Sequence, residues 1–136
     1  MKKKNLPAVY QKLIRIARQA RKNAYAPYSR FKVGAAVLTE GGKIYSGCNV
    51  ENASYGLTNC AERTAIFRAV ADGQKKIKAI AIVLEAPDFG APCGACRQVI
   101  YEFGSSAEVI MATVAGKFKI KKISELLPDA FGPENL

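Results

Sequence analysis

The chain has no histidine and no tryptophan. Without histidine, no mechanism can use imidazole as a base, a proton shuttle or a metal ligand. Serine–histidine triads and cysteine–histidine dyads are excluded, as are zinc sites built on histidine. Acid–base work must fall to a carboxylate, a lysine, a tyrosine or a thiol. Acidic residues are absent from the first 39 positions, which hold ten bases (Lys2, Lys3, Lys4, Lys12, Arg15, Arg18, Arg21, Lys22, Arg30 and Lys32). The other 97 residues hold eleven of each sign, so the whole net charge of +10 is N-terminal. That basic region suits a solvated helix face, or a surface for nucleic acid or another anion. No aromatic residues interleave with it in the pattern that single-strand binders use for stacking. No apolar run reaches 18 residues, so no membrane span is expected. Met-Lys-Lys-Lys resembles the start of a signal peptide, but Gln11, Lys12, Arg15 and Arg18 break the apolar run that should follow. A cytoplasmic protein is expected, with its thiols reduced.

What is present is the mixture of an ordinary folded domain. Over 136 residues, 49% are hydrophobic and 24% charged, which excludes a disordered chain and fits one domain over 1–136. Asn5 can cap a helix running to about residue 24, with Val9, Leu13, Ile16 and Ala20 on one face. Residues 33–39 and 43–48 read as two strands joined by a hairpin turn at Glu40-Gly41-Gly42. A polar loop, 49–59, leads to a helix over 60–72, stopped by Gly73. Residues 77–84 are apolar nearly throughout and predict a fully buried strand. A helix over 93–103 follows, then strands over 107–114 and 117–120. The turn between these strands, Ala115-Gly116, is so short that they must pair antiparallel. Residues 124–127 predict a last helical turn, and the tail after Pro128 reads as irregular. The order α-β-β-α-β-α-β-β-α defines an α/β domain with a five-stranded mixed sheet covered by helices.

Three of the four cysteines fall in two clusters, Asn-Cys-Ala-Glu-Arg at 59–63 and Pro-Cys-Gly-Ala-Cys-Arg at 92–97. Each cluster opens a predicted helix. Residues three apart in a first turn share a face, so Cys93 and Cys96 can hold one ion. Helix N-termini also stabilise thiolates, the form that binds metal. If the two helix starts face each other, Cys60, Cys93 and Cys96 converge. Three protein ligands leave a fourth zinc position for water, the arrangement of a catalytic site. Glu62, two residues beyond Cys60, can then take and return a proton. A redox pair would use Cys93 and Cys96 alone, leaving Cys60 and Glu62 without a role. A closed structural site would need Cys48 as its fourth ligand, yet Cys48 ends a predicted strand, where a small buried apolar residue is the simplest reading.

These residues resemble the zinc-dependent deaminases, whose signature pairs Cys-Ala-Glu with Pro-Cys-x-x-Cys. The similarity is greatest to the small homotetrameric cytidine deaminases. It runs through residues 24–36, 47–55, 59–65, 92–98 and 126–136. The resemblance implies a three-layer α-β-α sandwich and one Zn2+ per chain, held by Cys60, Cys93 and Cys96. It implies hydrolysis of cytidine and deoxycytidine to uridine and deoxyuridine plus ammonia, a step of pyrimidine salvage. Zinc-bound hydroxide would attack, with Glu62 as the proton shuttle. Phe31 would pack on the pyrimidine, Asn49 and Glu51 would bind the ribose hydroxyls, and the Ala61 backbone would meet the base. Phe131, and with it Tyr55, would come from neighbouring subunits of a homotetramer whose sites are shared. Arg63 and Arg97 would offset the charge of the thiolate sulfurs. Asp129 stands where some members carry glycine, just before Phe131. An editing enzyme of polynucleotides is the contrasting expectation, but no added loop is available to hold a strand, so nucleic acid is not expected as a partner. A non-catalytic zinc module would leave Glu62 without purpose.

Overall fold

The computed structural model describes residues 6–136. The elements are α1 (Ala8–Arg21), β1 (Val33–Thr39), β2 (Ile44–Cys48), α2 (Ala61–Ala71), β3 (Ile77–Leu84), α3 (Gly94–Phe103), β4 (Glu108–Thr113), β5 (Phe118–Lys122) and α4 (Ile123–Leu126). Single 3₁₀ turns form at Tyr55–Leu57 and Pro133–Asn135. The sheet order is β2-β1-β3-β4-β5. Only β3 and β4 are parallel, and α3 makes the crossover between them. The other pairs, including β4 with β5, are antiparallel.

The central strands are apolar at nearly every position because both sheet faces are covered. Ala35 and Val37 of β1, Ile80 and Ile82 of β3, and Val109 and Met111 of β4 pack with α2 and α3. The alternate residues Ala36, Leu38, Ala79, Ala81, Val83, Ile110 and Ala112 pack under α1. This is the expected three-layer α-β-α sandwich. Leu13, Ile80, Ile82 and Ile110 are fully buried, each worth about 1.5–3 kcal/mol of removed apolar surface.

Two strand glycines bring the layers together. A Cβ on Gly34 of β1 would stand 1.9 Å from the Ala17 carbonyl oxygen of α1. A Cβ on Gly47 of β2 would stand 2.5 Å from the Ala65 amide nitrogen of α2. Each helix backbone therefore lies directly on a strand, which only glycine permits.

Some expectations need correction. Asn5 lies outside the described residues, as do Lys2, Lys3 and Lys4. Pro7 occupies the N-cap position of α1 and offers no side-chain cap. The helix ends at Arg21 rather than near residue 24, because Tyr25 leaves it to bridge Val50, its amide donating to the Asn49 carbonyl. The face of α1 turned inward is Tyr10, Leu13 and Ala17, with Ile16 and Ala20 half-buried and Val9 exposed. Strand β5 starts one residue later than expected and runs on to Lys122, because pairing with β4 continues to Glu108. Lys12, Arg15, Arg18 and Lys22 are exposed and lie in no ion pair among the described residues, while Arg21 pairs with Glu85 at 3.0 Å. No helix is long and apolar enough to cross a membrane among those residues.

The chain path gathers several ends at one edge. Gly34 pairs with Cys48 and Val33 with Leu84, so the start of β1 and the ends of β2 and β3 lie side by side. Helices α2 and α3 begin at that same edge. A Gly34→Ala chain should lose about 1–3 kcal/mol of stability, since the added carbon forces α1 off the sheet. Urea unfolding checks this through a lowered midpoint at unchanged slope.

Candidate active site

Cys60 is the N-cap residue of α2 and Cys93 the N-cap residue of α3. Both have extended backbones there, leaving their side chains over the first helical turns. The Cys93 sulfur takes the role usually played by a serine or aspartate oxygen, accepting the Cys96 amide at 3.5 Å. The sulfurs of Cys60, Cys93 and Cys96 all lie within 4.8 Å of one another. A zinc ion holds each sulfur at about 2.3 Å and so can span all three. Three soft thiolates are a donor set that fits zinc rather than a harder ion, and two helix N-termini and an adjacent guanidinium stabilise their charge. Cys48 is half-buried on β2 and is not among the converging sulfurs.

The electrostatics favour a thiolate at Cys60. The Cys96 thiol hydrogen-bonds the Cys60 sulfur, Arg63 and Cys93 add to this, and the Cys60 pKa falls to about 5. As donor to Cys60, and as a buried group, Cys96 is pushed the other way. Arg63 reaches the Cys60 sulfur at 3.3 Å, and the thiolates push its own pKa upward. Its Nε is buried without a hydrogen-bond partner. Arg97 differs from the expectation, for its donors go to backbone carbonyls, Pro92 at 2.7 Å and Leu126 at 2.8 Å. It ties the residue before Cys93 to the end of α4.

Glu62 is 5% exposed, in the first turn of α2. Burial pushes its carboxyl up to about 7, and the Cys60 thiolate adds to the rise. A carboxyl poised near neutrality can both accept and return a proton.

Cys60, Glu62 and Cys93 line a cleft of about 460 Å3. That size falls in the range of small-molecule sites. Phe31, Asn49, Glu51 and Ala61 line it too. Asn49 and Glu51 are buried, and much of their bonding capacity holds the neighbouring loop. Asn49 accepts the Val33 amide at 2.9 Å and donates to the Phe31 carbonyl at 2.8 Å. Glu51 accepts the Tyr28 and Ser29 amides at 3.0 and 3.1 Å and the Ser29 hydroxyl. The Ser29 hydroxyl bond leads the effects that hold the Glu51 carboxyl below its usual range. Phe31, 44% exposed, is thereby fixed with its ring in the cleft, after Arg30 at φ 60.

Sequence reasoning missed Ser29. Its hydroxyl serves Glu51 and also accepts the Phe31 amide at 3.0 Å. It missed Asp88 and Phe89 of the β3–α3 loop as well, both lining the cleft. The signal available for these three was their nearness in sequence to Phe31 and Cys93.

Tyr55 and Phe131 do not line this cleft. Tyr55 is 76% exposed and leans on Tyr28, the ring centres 6.3 Å apart, beside a smaller cleft of about 370 Å3 that shares Ser29, Glu51 and Thr58. Phe131 is 61% exposed. Its segment is moored on α3, with Gln98 donating to the Phe131 carbonyl at 2.8 Å and the Tyr101 hydroxyl to Glu134 at 2.6 Å. Asp129 adopts φ 53, the left-handed conformation that glycine takes freely.

The fold and the site together define a class: an α/β/α domain with an open three-thiol metal centre and a buried carboxylate beside it. Residues 7–113 match the family model described as the cytidine and deoxycytidylate deaminase zinc-binding region. The chain is 50% identical over 127 residues to a cytidine deaminase of Sporosarcina psychrophila, covering 93% of each chain. It is 46% identical to a probable cytidine deaminase of Dictyostelium discoideum, covering 93% of this chain and 86% of that one. Among solved structures, a cytidine deaminase from Burkholderia pseudomallei is similar with a TM-score of 0.87 at 54% identity, over 90% of this chain and 98% of that one. A cytidine deaminase from Mycobacterium tuberculosis gives 0.80 at 41% identity, over 93% and 99%. The chain belongs to the cytidine and deoxycytidylate deaminase family.

Loading with zinc should shield three of the four thiols. A thiol reagent should then titrate at most one cysteine per loaded chain, Cys48, and a strong chelator should release three more. Unchanged reactivity after chelation would show that the three sulfurs hold no ion.

Proposed function

We propose that this chain is a zinc-dependent enzyme that hydrolyses cytidine and deoxycytidine to uridine and deoxyuridine, releasing ammonia. The observation that carries this reading is the buried Glu62 carboxyl beside three converging thiols, in a cleft that Phe31, Asn49 and Glu51 also line.

In this reading Cys60, Cys93 and Cys96 hold the zinc. The ion, when bound, supplies a Lewis acid that lowers the pKa of a water ligand to about 7. Glu62 accepts the proton of the attacking water and gives it to N3 of the pyrimidine. Addition at C4 makes that carbon tetrahedral. Glu62 next helps to protonate the departing amino group, and the C4 carbonyl forms as ammonia leaves. Phe31 packs on the pyrimidine ring. The Ala61 backbone meets the base, and Asn49 and Glu51 meet the sugar hydroxyls. Asn49 keeps one amide hydrogen free for this after its bond to Phe31. Among the described residues no lysine or arginine lines the cleft, while Glu51, Glu62 and Asp88 do. That charge pattern favours a neutral nucleoside over a phosphorylated nucleotide.

Three thiolates on one Zn2+ leave a charge of −1, which opposes activation of water. Arg63 beside the Cys60 sulfur offsets it, in the manner of groups that tune a metal through its ligands. Arg97 acts by holding the Cys93 loop in place. Tyr55 and Phe131, both exposed on one chain, complete a neighbour's site in a homotetramer. A single domain over 1–136 and a cytoplasmic location belong to the same proposal. One sheet runs through both core clusters, and three reactive thiols suit a reducing compartment.

The test is the fall in absorbance as cytidine becomes uridine. The zinc-loaded chain should turn cytidine over steadily, and a chelator should abolish the activity. Glu62→Gln should keep its zinc and lose about 10²- to 10⁴-fold in turnover, the usual worth of general acid–base catalysis. A fully active Glu62→Gln chain would overturn the assignment.

Arg63→Gln should lower turnover by about 10- to 100-fold while zinc content, measured by elemental analysis, stays near one per chain. Unchanged turnover would sink the charge-offset argument.

A further inference from the structure

The loop between β3 and α3 forms one wall of the cleft, with Leu84, Ala86, Asp88, Phe89, Gly90 and Ala91. Its two ends are well held. The Val114 amide, in the β4–β5 turn, donates to the Leu84 carbonyl at 2.9 Å. Gly90 lies so close to Leu84 that a Cβ there would come within 2.1 Å of the leucine Cδ2. Between these anchors Phe89 packs against the core, and the polar ties of the outer residues 87–89 to another element come from one side chain, Lys117, just before β5. Its ammonium donates to the Pro87 carbonyl at 3.3 Å, stands 3.8 Å from an Asp88 carboxylate oxygen, and lies 5.6 Å from the centre of the Phe89 ring. Among the described residues, no other side chain from outside the loop makes a hydrogen bond or ion pair with Pro87, Asp88 or Phe89.

We propose that Lys117 is a positioning residue for substrate binding: by gripping three consecutive residues it holds Phe89 in place as an aromatic wall of the cleft. This rests on the cleft being the nucleoside site. Among the described residues, the hydrogen bond, ion pair and ring contact of the Lys117 side chain all go to this loop, so it acts through Pro87, Asp88 and Phe89. Each of its three contacts is weak at an exposed position. Together they select one arrangement of a segment that otherwise has to be ordered when substrate binds. Loss of such preordering weakens ground-state and transition-state binding alike, which raises KM and leaves kcat unchanged. A residue needed only for folding would not produce that split.

The experiment compares Lys117→Met, which keeps the apolar stem and removes the charge, with Lys117→Arg, which keeps both. Lys117→Met should raise KM for cytidine about three- to ten-fold, with kcat within two-fold. Lys117→Arg should bring KM back to within two-fold of the parent. Rising salt should raise the parent's KM toward that of Lys117→Met and leave the variant's KM nearly flat, because exposed charges are screened. A second readout is independent of catalysis. The chain has no tryptophan, so Phe89→Trp gives a single fluorescent reporter on the loop. Acrylamide should quench that reporter at least two-fold more strongly when Lys117→Met is added. Equal quenching in the two backgrounds, an unchanged KM, or a fall in kcat alone would overturn the proposal. If the parent does not deaminate cytidine at all, the functional reading fails, and the quenching comparison still decides whether Lys117 orders the loop.

Discussion

The meeting of two helix N-termini at one edge of the sheet is the constraint on which the rest of this protein depends. Helices α2 and α3 both start where β2 and β3 end, and each opens on a cysteine in the cap position. The unsatisfied amides and positive dipole ends of the two helices meet there. Thiols placed on such ends lose their protons readily and accept a metal. Glu62 comes from the same first turn as Cys60, so the proposed acid–base group and the proposed ligand sit on one piece of rigid backbone. Precision at this site is therefore a property of helix packing.

That packing rests on small residues. Gly34 and Gly47 let α1 and α2 lie directly on β1 and β2, and Ala35, Ala36, Ala79 and Ala81 keep the strand surfaces shallow beneath the helices. A bulkier strand surface would lift α2 and carry Cys60 and Glu62 with it. The parallel pair β3–β4 needs α3 as its crossover, and this returns α3 to the site edge with Cys93 and Cys96 at its start. Open α/β sheets place ligands beyond the carboxyl ends of their strands for this reason.

The rest of the cleft is made from loops that hold each other. Asn49 and Glu51 spend most of their bonding on the backbone of residues 28–33, so the residues suited to a sugar also shape the segment that presents Phe31. Arg97 joins the Cys93 loop to α4, and Gln98 and Tyr101 moor the segment that carries Phe131 outward. The Phe131 ring, 61% exposed, thus sits on a tail that is fastened firmly to α3. Helix α3 thus carries the converging sulfurs at its start and the anchors of the Phe131 segment further along.

Much of this was legible from local sequence. Strands 33–39 and 77–84 followed from nearly unbroken apolar runs, and Cys60, Cys93, Cys96 and Glu62 from spacing within two first helical turns, because periodicity and capping are properties of neighbours in the chain. The absence of histidine had already confined acid–base chemistry to a few side chains. Other features needed the tertiary structure. The length of β5 was decided by its pairing with Glu108, and the end of α1 by the bridge from Tyr25 to Val50. Arg97 was expected to face sulfur and instead binds carbonyls of Pro92 and Leu126, the second 29 positions away. Ser29 under Glu51 and Lys117 over Phe89 are contacts across 22 and 28 positions. Chemistry carried by a single turn of helix can be read from the chain, whereas the partners that position it are chosen by long-range packing, which local sequence does not encode.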